Sequence, residues 1–261
     1  MITFGRMTFM EAVIKPFSCV NYRRHMNIFL GNDCSALAIR FIQIPIYSGL
    51  PNAHHGLHMP SYHIFSATTA QVPYLYQNFI IPYFPAKEVK PLKNILRMMD
   101  TKLYRVLCIT SDQRNFPLKN NESNVEGVAF LTTCPDADFY LLDYLAVHST
   151  ARSKGLGSLL LNECGRFTDG LPVIIETESI ETAKNDLQRC QRINRNRFYT
   201  KNGAQPTGIR SCIFDTIYDN WILSQTPSEL TQEELHDRLR KLYHFMVPDI
   251  NLYEKSIKIP Y

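Results

Sequence analysis

No apolar run in this chain of 261 residues reaches the length of about 18 residues that a membrane-spanning helix requires. The best candidate, residues 37–46, is interrupted by Arg40, Gln43 and Pro45. Residues 1–30 also lack the pattern of a secretory signal peptide, because apolar residues alternate there with Arg, Glu and Lys. The sequence therefore predicts a cytoplasmic protein that does not associate with membranes.

Paired cysteines are absent as well. The seven cysteines are an odd number without a C-x-x-C pair, which argues against a disulfide framework and against a zinc site. Histidines at positions 54, 55, 58 and 63 lie close together, but no acid or cysteine stands among them to complete a ligand set. We therefore expect reduced, mostly buried thiols and no bound metal.

Blocks of one charge sign are also missing. Lys and Arg total 28 against 24 Asp and Glu, which gives a net charge of +4, and the basic residues are spread along the chain. Proteins that bind nucleic acid usually concentrate positive charge in a patch or stripe. We therefore expect no nucleic-acid partner.

The composition is that of a folded chain, with 45% hydrophobic residues, 15 Phe and 14 Tyr. Residues 1–70 show no sustained period and are interpreted as a poorly specified N-terminal extension. This extension could pack on the main domain, be disordered, or represent upstream codons wrongly included in the gene model, since Met26 and Met59 are alternative starts. Residues 71–225 are predicted to form the main domain, and residues 226–261 a C-terminal helix and tail packed on it.

Regular elements begin at Val72. Apolar spacing predicts two helices, at 72–80 and 86–99, and then strands at 103–109, 125–132 and 139–147. A helix at 156–167, a strand at 173–177, a helix at 186–199 and a strand at 212–221 follow. Thr231 and Glu234 form a capping box that predicts a last helix. This order indicates an α/β sheet with helices on both faces.

The most informative segment is residues 152–158, in which an apolar strand enters a basic, glycine-punctuated turn that opens a leucine-rich helix. The first N–H groups of a helix have no intrahelical partner and lie at the positive end of its dipole, so they can bind a phosphate. Gly155 and Gly157 would let such a ligand approach without a Cβ in the way. The pattern predicts an anion-binding turn.

Two motifs in residues 72–225 resemble those of the GNAT superfamily of acyl-CoA-dependent N-acetyltransferases. The first, RSKGLG at 152–157, fits the pyrophosphate signature (R/Q)-x-x-G-x-(G/A) and follows a strand that ends in Leu-Ala-Val. The second, RFYTKNGA at 197–204, is similar to FY-x-x-x-G-F, with Ala204 in place of the last Phe. The resemblance implies a mixed, mostly antiparallel central sheet that splays at the fourth and fifth strands, with helices on both faces.

The resemblance also implies acetyl-CoA as the acyl-donor co-substrate. Unpaired main-chain groups of Leu145 and Val147 would bind the pantetheine arm. The pyrophosphate would lie on the N–H groups of residues 152–158, with attraction from the Arg152 and Lys154 charges. The donor-binding residues implied in this way are Leu145, Ala146, Val147, Arg152, Ser153, Lys154, Gly155, Leu156, Gly157 and Ser158.

Three residues are candidates for the chemistry. Tyr199 matches the tyrosine that in many relatives protonates the departing thiolate, and is our candidate general acid. Asp143 and Glu176 are alternative general bases for the amine; strand alternation would put Asp143 on one face with Leu141, Leu145 and Val147. Arg192 departs from the family pattern, which has Asn seven residues before this tyrosine.

The predicted function is transfer of an acetyl group from acetyl-CoA to a primary amine by direct attack in a ternary complex. The acceptor could be a small molecule or a peptide, and the protein a monomer or homodimer. The alternative is a non-catalytic regulatory module that binds acyl-CoA, because that role would need the same glycine turn.

Overall fold

The computed structural model describes residues 62–111, 124–224 and 231–261, all of which fall within one compact unit. Its centre is a sheet of eight strands in the order β1-β2-β3-β4-β5-β7-β6-β8. All neighbouring pairs are antiparallel except β4 and β5, which are parallel. The strands are β1 His63–Ser66, β2 Tyr104–Thr110, β3 Val125–Thr132, β4 Tyr140–Val147, β5 Val173–Glu178, β6 Gln205–Ile213, β7 Thr216–Leu223 and β8 Ile257–Lys258.

Helices cover both faces of this sheet, as predicted. Buried side chains of α1, α2 and α5 pack on one face, and those of α3 and α4 pack on the other. Because side chains of a strand alternate between faces, the two helical layers enclose two separate apolar cores. The helices are α1 Val72–Leu75, which continues into a π-helical turn Tyr76–Ile80, α2 Leu92–Asp100, α3 Leu156–Phe167, α4 Asp186–Lys201, α5 Gln232–Met246 and α6 Ile250–Ser256.

Elements with strong local signals have the predicted bounds. β3 and α3 begin and end at the predicted residues. Thr231 and Glu234 make both hydrogen bonds of the capping box at the start of α5. The helix predicted at 86–99 is wrong in its first part: Ala86–Glu88 is a separate 3-10 turn and α2 starts after Pro91. Proline disfavours helical backbone at the residue before it, which breaks the helix there.

The strand predicted at 212–221 is two strands. β6 and β7 are joined by Phe214 and Asp215, whose φ angles of 47° and 61° are those of a two-residue hairpin turn. Neither residue is the glycine that usually marks such a turn, so the sequence carries no signal for it. The prediction also placed residues up to 70 in the extension, whereas His63–Ser66 pairs with β2 as part of the sheet.

A β-bulge in β4 determines which face of the sheet its later side chains occupy. Phe130 of β3 lies opposite Tyr144 and Leu131 lies opposite Leu142, so Asp143 is an extra residue in β4. A bulge shifts the alternation of side chains by one position. Asp143 therefore shares a face with Leu141, as predicted, but not with Leu145 and Val147. Those two pack on the core beneath α3 and α4, so that part of the prediction is wrong.

The strands diverge at the same point. β4 and β5 are paired at Tyr140–Val173, Leu141–Ile174 and Leu142–Ile175 and no further, although β4 runs on to Val147 and β5 to Glu178. The predicted splay of the fourth and fifth strands is confirmed. It leaves a wedge-shaped gap in the middle of the sheet.

The burial of α5 gives a test of the fold. Leu239 on α5 has no exposed surface, whereas Leu187 on α4 is 66% exposed. We expect Leu239→Ala to lower the free energy of unfolding by about 2–5 kcal/mol, because it removes buried surface and leaves a cavity. Leu187→Ala should change it by less than about 0.5 kcal/mol. Denaturant unfolding of both variants measures the difference; equal effects would show that α5 is not part of the core.

Candidate active site

A cavity of about 1560 Å³ occupies the gap between β4 and β5. Its walls include the start of α3, the middle and end of α4, the segment before α2 and part of α5. It is lined by Tyr199, whose ring belongs to the core on the α3 and α4 face, and by Asp143 and Glu176, which contact groups on the opposite face. The gap thus connects the two faces of the sheet.

The glycine turn forms one end of this cavity. Gly155 precedes α3 with φ of +82°, a conformation that glycine adopts without strain, and a Cβ built on it would meet nothing within 4 Å. The first main-chain bond of the helix runs from Leu159 N to Gly155 O, so the N–H groups of Leu156, Gly157 and Ser158 lie before the intrahelical ladder. Ser153 also has positive φ, 65°. This backbone is suited to bind an anion.

Gly157 has a packing role that the sequence did not reveal. A Cβ at this position would stand 3.3 Å from Phe198 Cζ and 3.8 Å from Val147 Cγ2. The missing side chain therefore makes room for Phe198, which packs α4 against the start of α3. The FY motif and the glycine motif are thus in direct contact, although forty residues of sequence separate Gly157 from Arg197.

The two basic residues of the turn also differ. The Arg152 guanidinium lies 5.0 Å from the centre of the Tyr83 ring, and its Nε donates to Val147 O at 3.3 Å. Arg152 lines the cavity. Lys154 instead places its Nζ 3.6 Å from Glu126 Oε1 and keeps a side chain that is half exposed. Of the two predicted charges, Arg152 is the one near the anion-binding end.

The main chain of β4 faces the gap at alternate residues. His148 N donates to Glu126 O on the β3 side. Because main-chain groups in an antiparallel pair alternate, those of Ala146 also face β3, and those of Leu145 and Val147 point to the opposite side, where β5 has diverged. All three residues line the cavity, and the side chain of Ala146 is buried.

Tyr199 lies in the wall of the cavity beside Phe198, with the two ring centres 5.1 Å apart. Its side chain is buried, and this burial raises the pKa of Tyr199 to about 12. The phenol is therefore protonated at neutral pH. It can act as a hydrogen-bond and proton donor.

Asp143 is held by two donors that the sequence did not reveal. Lys90 Nζ lies 2.7 Å from one carboxylate oxygen and 3.0 Å from the other, and the Tyr104 hydroxyl also donates to the group. These contacts fasten Lys90, and with it the segment before α2, to β4.

The segment before α2 is fixed by tyrosines. The Tyr144 hydroxyl donates to Glu88 O at 2.9 Å and accepts from Lys90 N at 2.8 Å, and the Tyr76 hydroxyl donates to Lys90 O at 3.1 Å. These bonds satisfy main-chain groups of Glu88, at the end of the 3-10 turn, and of Lys90, which follows that turn. They hold one wall of the cavity in place.

Glu176 has neutral partners only. Ser211 Oγ donates to its Oε1 at 2.9 Å, and the Tyr243 hydroxyl donates to its Oε2. Enclosure by the protein raises the pKa of Glu176, an effect that the hydrogen bonds from Tyr243 and Ser211 partly offset. Glu176 keeps some exposed surface because it lines the cavity. A carboxylate with neutral donors and a raised pKa is a candidate proton acceptor.

Arg192, which stands where the family pattern has Asn, is buried beside the end of β5. Its guanidinium donates to Ser179 O at 2.5 Å and to Thr182 Oγ1 and Glu178 Oε1 at 2.8 Å each. These contacts join α4 to β5 on the far side of the gap. Arg192 therefore fastens α4 to the end of β5 and the turn after it, a contact that no local sequence signal indicates.

The described residues have the fold of the GNAT acetyltransferases, as the sequence motifs predicted. The chain is similar to a candidate acetyltransferase of the GNAT family from Bacteroides thetaiotaomicron, with 16% identity and a TM-score of 0.51 over 71% of this chain and 97% of that one.

Two further structures are similar at lower scores. An aminoglycoside 6′-N-acetyltransferase in complex with coenzyme A has 13% identity and a TM-score of 0.43, over 64% of this chain and 99% of that one. A GNAT-family acetyltransferase from Staphylococcus aureus has 13% identity and a TM-score of 0.45, over 64% and 100%. At such identities the likeness concerns the fold alone. The sequence matches no known family model and no curated protein.

The same ranges, 62–111, 124–224 and 231–261, hold no helix long and apolar enough to cross a membrane. Within them, His, Cys, Asp and Glu side chains do not come together in a group of three that could bind a metal. His54, His55 and His58 lie outside the described residues.

The enclosed carboxylate predicts a pH-dependent stability. Folding raises the pKa of Glu176, so the ionised group at neutral pH lowers the free energy of unfolding. This loss disappears when the pH falls below the ordinary pKa of a glutamate, because the group is then protonated in both states. We expect Glu176→Gln to be more stable than the wild type at pH 7, with a difference that shrinks towards pH 4. Denaturant unfolding at several pH values measures this.

Glu163→Gln on the outer side of α3, where Glu163 pairs with Arg166, is the matched control. It should show no comparable gain at pH 7. A Glu176→Gln variant that is less stable than the wild type at pH 7 would contradict the raised pKa of Glu176 in the folded protein.

Proposed function

We propose that this protein is an N-acetyltransferase that moves an acetyl group from acetyl-CoA to a primary amine by direct attack in a ternary complex. The observation that carries the proposal is the gap between β4 and β5. It joins an anion-binding helix start on one side to an enclosed carboxylate on the other, with Tyr199 in its wall. The acceptor is a small molecule or a peptide.

The donor side consists mainly of backbone. The N–H groups of Leu156, Gly157 and Ser158 would bind the pyrophosphate of acetyl-CoA, with Arg152 adding positive charge at the mouth of the cavity. The main-chain groups of Leu145 and the N–H of Val147, which face the gap, would pair with the amides of the pantetheine arm, whereas Val147 O already accepts a hydrogen bond from Arg152 Nε. Such pairing would lay the thioester along β4.

Glu176 is the base in this proposal. An amine is mostly protonated at neutral pH and must lose a proton to attack. Asp143 is already paired with Lys90, whereas Glu176 has only neutral donors and a raised pKa. It would take the proton from the amine directly or through a water molecule.

The transfer itself forms one bond and breaks one. The amine nitrogen attacks the thioester carbonyl carbon, the C–N bond forms, and the C–S bond breaks with its electron pair leaving on sulfur. Tyr199 would donate a hydrogen bond, and finally its proton, to that sulfur. The second proton, which the nitrogen loses as the amide forms, would return through solvent to the Tyr199 phenolate and restore the phenol. Its protonated state at neutral pH is consistent with this role.

A non-catalytic acyl-CoA-binding module is the second candidate. Both acids in the cavity already have hydrogen-bond donors, which would also suit a purely structural role. The two functions share the donor site and differ in turnover. Release of free thiol from acetyl-CoA across a panel of amines supports the enzyme; coenzyme binding that raises the melting temperature without any thiol release supports the module.

Binding of the donor can be tested at the two basic residues. We expect Arg152→Ala to raise the Kd for acetyl-CoA by about 5- to 10-fold, because its charge lies at the cavity. Lys154→Ala should raise it by less than about 2-fold, since Glu126 already pairs with that charge. Calorimetric titration measures both values. A larger effect at Lys154 would place the pyrophosphate elsewhere on the turn.

The role of Tyr199 can be tested with a matched tyrosine. We expect Tyr199→Phe to lower kcat by about 100-fold while the Kd for acetyl-CoA stays the same, because only a proton donor is removed. Tyr140→Phe, in the same buried cluster but without a role in the cavity, should leave kcat unchanged. Steady-state kinetics with thiol detection give the comparison. Equal kcat values in the two variants would remove Tyr199 from the mechanism.

A further inference from the structure

Helix α5 contributes a side chain to the candidate active site. Tyr243 lies in the last turn of α5, outside residues 72–225, in which the two motifs were found. Only 4% of its surface is exposed, it lines the cavity, and its hydroxyl donates a hydrogen bond to Glu176 Oε2. Core packing alone would be served equally well by phenylalanine, so the hydroxyl requires another explanation.

The other oxygen of Glu176 belongs to a buried chain of hydrogen bonds. Ser211 Oγ on β6 donates to Glu176 Oε1 at 2.9 Å, and Asn220 Nδ2 on β7 donates to Ser211 Oγ at 3.1 Å. Asn220 also lies directly opposite Glu176 in the β5–β7 ladder. The sheet thus holds one oxygen of the carboxylate, and α5 holds the other.

We propose that Tyr243 is a positioning residue for Glu176: its hydroxyl holds the carboxylate at the gap between β4 and β5 and favours the ionised form that accepts a proton from the amine. This inference rests on the proposed function in one respect, the role of Glu176 as the base. If Tyr243 has this role, α5 is part of the active site as well as part of the core.

The charged and hydrogen-bonding groups around Glu176 shift its pKa in opposite directions. Asp143 on β4 raises the pKa of Glu176, and Lys90 in the segment before α2 lowers it. The hydrogen bonds from Tyr243 and Ser211 also lower it. Tyr218 on β7 and Tyr243 on α5 both have a raised pKa, so both phenols are neutral at the pH of interest. Loss of the Tyr243 hydroxyl should therefore move the pKa of Glu176 further upwards.

The test is Tyr243→Phe, which keeps the ring and removes one donor. We expect the acidic limb of the kcat/KM pH profile to move upwards by about one pH unit, because a hydrogen bond to a charged group is lost. Tyr253→Phe on α6, whose ring stacks on His244, is the matched control and should leave the profile unchanged. A merely structural role for Tyr243 would alter stability without moving the limb, and an unmoved limb overturns the proposal.

A double variant separates this proposal from the assignment of the base. Glu176→Gln should abolish the acidic limb, and adding Tyr243→Phe to it should cause no further change in kcat/KM. If the limb persists in Glu176→Gln, the proposed base is wrong. If Tyr243→Phe lowers kcat/KM equally in both backgrounds, Tyr243 acts independently of Glu176 and the coupling is refuted.

The pKa of Glu176 can also be measured without turnover. Titration of the Glu176 carboxyl carbon by ¹³C NMR, assigned by its loss in Glu176→Gln, should show a higher pKa in Tyr243→Phe and no change in Tyr253→Phe. This result would stand even if no amine were acetylated, in which case the proposed function alone would fail. An unchanged titration in Tyr243→Phe overturns the contact itself.

Discussion

The extra residue in β4 is the constraint on which the candidate site depends. Because Asp143 is bulged out of the ladder with β3, the side chains after it change faces and β4 separates from β5 beyond Leu142. The separation opens a gap in the middle of a sheet that would otherwise be continuous, and it leaves main-chain groups of β4 without a strand partner. The glycine turn, the tyrosine of α4 and the acids of the opposite face are brought together only by that gap.

The gap also creates two different environments for two carboxylates. Asp143 forms an ion pair with Lys90, and through Lys90 it fastens the segment before α2. Glu176 lies against the neutral donors Ser211 and Tyr243, and enclosure raises its pKa. Neighbouring acids that have unlike partners can perform unlike tasks, one in structure and one in proton transfer. Arg192 contributes to this arrangement from a distance, because it ties α4 to the end of β5.

Sequence reasoning succeeded where the signal was local. The α3 helix, the turn before it, the strand β3 and the capping box at Thr231 all follow from neighbouring residues. The break of a helix at Pro91 was within reach of the same reasoning and was missed, whereas the hairpin turn at Phe214 and Asp215 has no local signature. The roles of Lys90, Tyr104 and Tyr243 could not be found in this way, since each lies 39 or more residues from the acid it contacts.

By itself, the sequence determined the backbone of the glycine turn and its place between a strand and a helix, because glycine, capping and periodicity act over a few residues. It also proposed two acids, Asp143 and Glu176, as candidate bases. Only the tertiary structure gave these acids their different partners, and only it assigned Gly157 to the contact with Phe198 and Lys154 to Glu126. The physical reason is that the pKa and the partners of a side chain depend on the groups that surround it in space. A single bulged residue, which no periodicity reveals, changes which groups those are.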